Sequence, residues 1–206
     1  MHLIDKSRYL IFQLFIIGIL ISMITGCGGE QVFTPKPRAF PRIDFPEREY
    51  ATTKLDDCPY IFELPSYTTV TRDDVFFDDK SPNECWLNID LGTMNGKIHC
   101  SYYPIDRPQD LNKFVNDAFK LAGKHNIKAN YIDEHFIQKE NHVSGMIFDI
   151  EGPAASPFQF FLTDSTHHFF RAALYFNTQA KPDSMAPVFE FVKEDIAHMI
   201  NTFEWR

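Results

Sequence analysis

The chain has 206 residues, 44% hydrophobic and 23% charged, with 21 Phe and only 4 Cys. That apolar share suits one ordinary globular domain with appendages and excludes wholesale disorder, and so few Cys exclude a small domain built on disulfides. A formal charge of −8 and a pI near 5.4 exclude a nucleic-acid role driven by a basic surface.

Lys6 and Arg8 precede an apolar stretch from Tyr9 to Ile24, shorter than the roughly 20 residues that comfortably span a bilayer. It ends in Ile24-Thr25-Gly26-Cys27: an aliphatic residue, two small ones and a thiol. This resembles the bacterial lipobox, in which the Cys receives a diacylglyceryl group and signal peptidase cuts before it. The competing reading is an uncleaved anchor with an incidental Cys. Residues 1–26 are thus read as a lipoprotein signal peptide and Cys27 as the lipid attachment site. Several acyl chains, at about 0.8 kcal/mol per buried CH2, make such attachment stable.

Residues 27–49 read as a tether. Pro35, Pro37, Pro41 and Pro46 fix φ and make it extended and semi-rigid. Phe40, Arg42 and Ile43 give it side chains that a plain spacer does not need, so it can dock on its own domain or on a partner.

Residues 50–206 read as one globular domain. Tyr60–Leu64 forms a strand ended by Pro65, and Cys85–Leu91 and Lys97–Tyr103 form two more around Asn95-Gly96, a hairpin-turn signal. The acidic stretch 73–84 is expected to be an exposed loop. Asp106, Pro108, Gln109 and Asp110 open a helix with Leu111, Phe114, Val115, Ala118, Leu121 and Ala122 at helical spacing, stopped at Gly123. Four strands follow over Ala129–Gln138, Val143–Glu151, Pro157–Thr163 and His168–Phe176, with connections short enough to require antiparallel neighbours. Phe160-Phe161-Leu162 and Ala172-Ala173-Leu174 put apolar groups on both strand faces, so the sheet must be covered on both sides. A last helix is expected from Ser184 as N-cap, with Pro187 in its first turn and an apolar stripe from Met185 to Phe203. The fold class is α+β: an antiparallel sheet flanked by helices, in an order that resembles the Mog1/PsbP-like sandwich.

Three groups of segments resemble one family, the gliding motility lipoprotein GldD. They are Pro35–Ile43 with Pro46 and Tyr50; Cys58–Glu63 with Cys85–Ile89 and Asn95–His99; and Gln159–Ser165 with His168-Phe169 and Leu174–Asn177. Ala39 departs from the pattern, standing where Gly is expected. The resemblance implies a non-enzymatic envelope component of the gliding and type IX secretion apparatus of Bacteroidetes-type bacteria. It implies other envelope proteins as partners, with Phe40, Arg42 and Ile43 as candidate partner contacts.

Tests of the remaining residues for chemistry point the same way. An exported chain enters an oxidising space, so Cys58 and Cys85, at the starts of two strands, are expected to pair. Cys100 alternates with Ile98 and Tyr102 and reads as a buried free thiol. Zinc is the rival reading, but no Cys-x-x-Cys spacing exists. His135 and His142, or His167-His168 beside Asp164, supply too few ligands for a metal site. Asp164, Ser165 and His168 spell a catalytic trio but lack the Gly-x-Ser-x-Gly elbow. Gly92–Lys97 echoes a phosphate loop one residue short and reads better as a hairpin. The acid pairs Asp73-Asp74 and Asp78-Asp79 lack calcium-loop spacing. No cofactor, metal or nucleic acid is expected. Gly28 after Cys27 carries no Asp-type retention signal, which favours the outer membrane over the inner. The alternatives are an envelope ligand or lipid carrier, suggested by the Phe content, and a hydrolase using the Asp164–His168 turn.

Overall fold

The computed structural model describes residues 12–18, 42–53, 55–72, 75–76, 79–178 and 182–206. The chain divides into two units, residues 1–40 and 41–206. Within the first, residues 12–18 are helical (α1). Cys27 and Phe40 lie outside the described residues, as do the acid pair Asp73-Asp74 and Asp78.

The second unit is built on a seven-stranded sheet of strands β4 (Thr69–Arg72), β7 (Leu87–Asp90), β8 (Gly96–Pro104), β9 (Tyr131–Gln138), β10 (Ser144–Glu151), β11 (Phe158–Thr163) and β12 (His168–Phe176). Its spatial order is β4-β7-β8-β12-β11-β10-β9, antiparallel throughout. Successive residues of a strand face opposite sides, and the central strands use both. Phe160, Leu162, Phe170, Ala172 and Leu174 enter one core with Val188, Val192, Ile196, Met199 and Phe203 of helix α3 (Pro182–Thr202) and its C-terminal continuation. Phe161 and Phe169 enter a second core on the other face, with Met146, Phe148 and Ile150 under helix α2 (Pro108–Gly123).

The α3 face needs more cover than one helix gives. Tyr60, Phe62 and Leu64 supply it. Tyr60, Phe170 and Phe203 bring ring centroids to 5.0–5.8 Å of one another, a spacing at which aromatic pairs add to area burial. The strand expected over Tyr60–Leu64 breaks at Phe62. Its first part, β2 (Tyr60–Ile61), pairs with β13 (Glu204–Trp205), and its second, β3 (Glu63–Pro65), pairs with β1 (Tyr50–Thr52). Glu204, just past the apolar stripe of α3, thereby reaches back to Ile61.

Several sequence expectations shift in register or kind. Asn95-Gly96 is not a two-residue turn: a 3-10 turn at Gly92–Met94 fills the connection, and Asn95 takes a left-handed conformation (φ 51°). Gly96 then opens β8 where a Cβ would stand 2.8 Å from the Phe176 ring. α2 does end at Gly123, as expected, but Gly123 stays right-handed (φ −62°) and a 3-10 turn follows at Lys124–Ile127. α2 is capped by Asp110, whose Oδ2 accepts the Arg107 N–H at 3.1 Å. Helix α3 begins at Pro182 rather than Ser184, because proline's fixed φ suits a first position and Asp183 follows in the first turn. Pro187 therefore lies inside the helix. The acidic stretch 73–84 contains a short ladder, β5 (Val75–Phe76) with β6 (Asp79–Lys80).

Two fastenings hold the periphery. Lys139, in the turn between β9 and β10, donates from Nζ to the carbonyls of Ile200, Asn201 and Phe203 at 3.1, 2.8 and 2.7 Å. It thus satisfies the orphan acceptors at the end of α3. Cys58 and Cys85 form a disulfide with Cα atoms 5.5 Å apart, closing a loop of sequence separation 27. Cys100 is a free, buried thiol whose pKa is pushed up by desolvation. Reduction of Cys58–Cys85 is expected to lower unfolding free energy by about 3–4 kcal/mol, measured by denaturant titration with and without reductant. Native protein should leave Cys100 unalkylated under both conditions.

Candidate functional site

Residues 42–49, which lead into β1, do not hang free. Segment 42–49, read from sequence as tether, lies along α3. The geometry starts from Phe191, which leaves the apolar stripe of α3 half-exposed. The Phe45 ring stacks on it at 4.5 Å and 16°, and the Arg48 guanidinium lies 4.1 Å from its centroid. Arg48 then uses its other faces: Nη2 donates to the Phe191 carbonyl at 2.9 Å, Nη1 meets Glu194 at 2.5 Å and Nε meets Asp195 at 3.0 Å.

Asp195 is the centre of this clamp and is 4% exposed. A carboxylate that deep must have its oxygens filled. Besides Arg48, Tyr50 of β1 donates to Oδ1 at 2.6 Å, and Tyr67 donates to Oδ2. Both phenols are held protonated. Burial, then the bond to Asp195, pushes Tyr50 to about 12 and raises Tyr67 further. Desolvation pulls the Arg48 pKa down, and Asp195 with Glu194 more than restores it. The Tyr50 ring also stacks on His198 at 3.7 Å, and His198 Nε2 lies 2.7 Å from Glu63. Strap, β1, β3 and α3 therefore share one polar network.

The residues proposed from sequence fall unevenly around it. Ile43 packs against the α3 core of its own domain. Arg42 points to solvent with its side chain 90% exposed, paired only with Asp44 at 3.0 Å. Sequence reading missed Arg48, Tyr50, Tyr67 and Asp195 as a group. Arg48 and Tyr50 follow the proline run, but nothing local marks a carboxylate 145 positions beyond Tyr50 as their shared partner.

The turn at Asp164–His168 is a structural device. Asp164 Oδ1 accepts the backbone N–H groups of Thr166, His167 and His168 at 2.8–2.9 Å, and Oδ2 accepts the Thr166 hydroxyl. Burial works against its charge, but these donors outweigh it and hold the carboxyl at about 2. His168 Nδ1 is 2.8 Å from the Tyr102 hydroxyl, and its ring stacks on Trp205. Strand register sets His135 opposite Ile147, away from His142. Among the described residues no group of three or more His, Cys, Asp or Glu side chains is placed to share a metal ion. A cavity of about 330 Å³ opens between β10 and α3, lined by Phe176, Met185 and Phe189 with Asp149 and Lys193.

The second unit is thus an antiparallel α+β sandwich whose leading segment 42–49 is clamped to its C-terminal helix. The family model described as "Gliding motility lipoprotein GldD" matches residues 30–205, and the chain belongs to that family. Membership implies a role in gliding motility and association with the cell envelope. No curated protein matches the chain. Among solved structures it is similar to cyanobacterial PsbP (CyanoP) from Synechocystis sp. PCC 6803, determined in solution. That match is 6% identical, covers 78% of this chain and 95% of the other, and has a TM-score of 0.47.

Arg48→Met is expected to release the strap: trypsin or chymotrypsin should cut within 42–50 while the 50–206 core persists, and stability should fall by about 2 kcal/mol. Asp164, lowered in the folded state, stabilises above the unfolded carboxyl pKa of about 3.9 and loses this as pH falls toward 2. Asp164→Asn should therefore cost about 1–2 kcal/mol at pH 7, after solvent screening, and far less at pH 2. Chemical denaturation at the two pH values measures this.

Proposed function

We propose that this protein is a non-enzymatic lipoprotein, anchored through acyl chains on Cys27, that serves gliding motility and the associated type IX protein secretion by protein–protein contact. The outer membrane is the favoured address, from Gly28 after the lipidated Cys. The family match carries the motility role. The clamp supports action by contact: it fixes segment 42–49 to α3, so that this segment is a held surface of the domain and not a loose spacer. Arg42 supports a partner surface beside the clamp, because its guanidinium is exposed and its neighbour Ile43 is held.

The test separates reach from recognition. Phe40→Ala with Arg42→Ala should abolish colony spreading or secretion while the lipoprotein stays folded, lipidated and abundant. A Gly/Ser replacement of residues 28–39 with equal contour should preserve both. Normal spreading by the double variant would return the segment to a spacer.

The cavity beside Phe189 favours one second reading, an envelope carrier of a small apolar ligand. Native mass spectrometry of the lipoprotein extracted from cells decides it: a co-purified ligand lost on Phe189→Trp supports the carrier, and a bare chain dismisses it.

A further inference from the structure

The sheet face under α2 holds a charge that the fold does not neutralise. Arg171 of β12 stands opposite Phe161 of β11 and Ser101 of β8, on the side of Phe169, and is half-buried. Arg42, Arg48, Arg72 and Arg107 each face a carboxylate. Arg171 does not. Its Nη2 donates to Gln159 Oε1 at 2.7 Å, and the ionisable groups acting on it are the phenols of Tyr103 and Tyr175. Burial lowers its pKa, against a smaller upward pull from Tyr175 and Tyr103. A half-buried guanidinium with no carboxylate partner keeps part of its donor capacity open to an anion from outside.

Gln159 points to the same conclusion independently. It is 1% exposed, and its Nε2 has no hydrogen-bond partner. The bond from Arg171 fixes the amide so that Nε2 cannot exchange places with Oε1. Two donors, a guanidinium and an amide N–H, thus sit side by side on adjacent strands with capacity unused. An unmet buried donor is itself costly, and one acceptor group with two oxygens satisfies both. His125, in the turn after α2, is held neutral at pH 7 by burial and by the Arg171 charge. The site carries one positive charge, which matches a monoanion better than a dianionic phosphate.

We propose that Arg171 and Gln159 form a receptor for one carboxylate group, either of a small free acid or at the C-terminus of a peptide, bordered by Tyr103 and Tyr175. The guanidinium takes the charge and the Gln159 amide takes the second oxygen.

Calorimetric titration of the full-length lipoprotein in detergent micelles, at pH 8.5, where phosphate is dianionic, and constant ionic strength, tests this with four probes. They are acetate, inorganic phosphate, and Ala-Ala-Ala as free acid and as C-terminal amide. Acetate and the free acid should bind saturably, with phosphate and the amide at least about tenfold weaker. A free acid much tighter than acetate assigns a peptide terminus, and equal affinities assign a small acid. Arg171→Leu should abolish binding. Gln159→Glu guards against loss through misfolding: it supplies the carboxylate from within, so acetate binding should vanish while the melting temperature is kept or raised. No saturable binding to the unaltered protein, phosphate binding as tight as acetate, or undiminished acetate binding in Gln159→Glu would overturn the site.

Discussion

Strand β11 has no side that faces water. All six residues from Phe158 to Thr163 are buried, whereas its neighbours β10 and β12 bury three of eight and five of nine. A strand buried on both faces obliges the chain to build two covers, and most of the remaining architecture is that obligation being met. On one side α2 suffices, because Phe161, Phe169 and Phe148 present a narrow apolar band. On the other, the aromatic residues spread too widely for a single helix. The 60–65 segment therefore fills in beside α3, and the 203–205 segment closes over it.

Polar groups inside such a structure are each brought to account by a different route. Asp195 is filled by an arginine and two phenols from two separate parts of the chain. Asp164 is filled locally, by the backbone of the turn that it shapes. The Lys139 ammonium finds the end of a helix. Arg171 and Gln159 satisfy only each other, and incompletely. The contrast matters because the first three sites use their capacity inside the fold, which is what a purely structural polar group does.

What could be read from the sequence follows from how far each cause reaches. Phe160-Phe161-Leu162 announces a doubly buried strand in three letters, and the other three antiparallel strands of its run emerge with their short connections. The disulfide follows from compartment and from two Cys at strand starts. β1, β2 and β13 are two or three residues long, too short for any periodicity, and exist only because the other partner is present. Asn95-Gly96 misleads because the same residues that favour a tight hairpin also favour the left-handed exit of a 3-10 turn. Ser184 loses to Pro182 because two good helix starts lie two residues apart. The Arg48–Asp195 pairing is invisible for a plainer reason: charge pairs distant in sequence leave no local pattern, whereas apolar stripes do.

The layout of the α3 core also bears on the order in which the domain can form. Its cover comes from residues 50–65 and 182–206, which flank the whole sheet in sequence, so the Tyr60–Phe203 contact spans nearly the entire domain. Contacts of such long range form last, after the loop entropy of everything between them has been spent. A nascent chain lacking Phe203 and Trp205 has an open aromatic face and an unpaired β2. It therefore stays loosely packed until its C-terminal helix is free to swing in. A polypeptide threading a narrow export channel would thus pass through as an extended strand of modest internal order, and acquire its rigidity on the far side in a single late step.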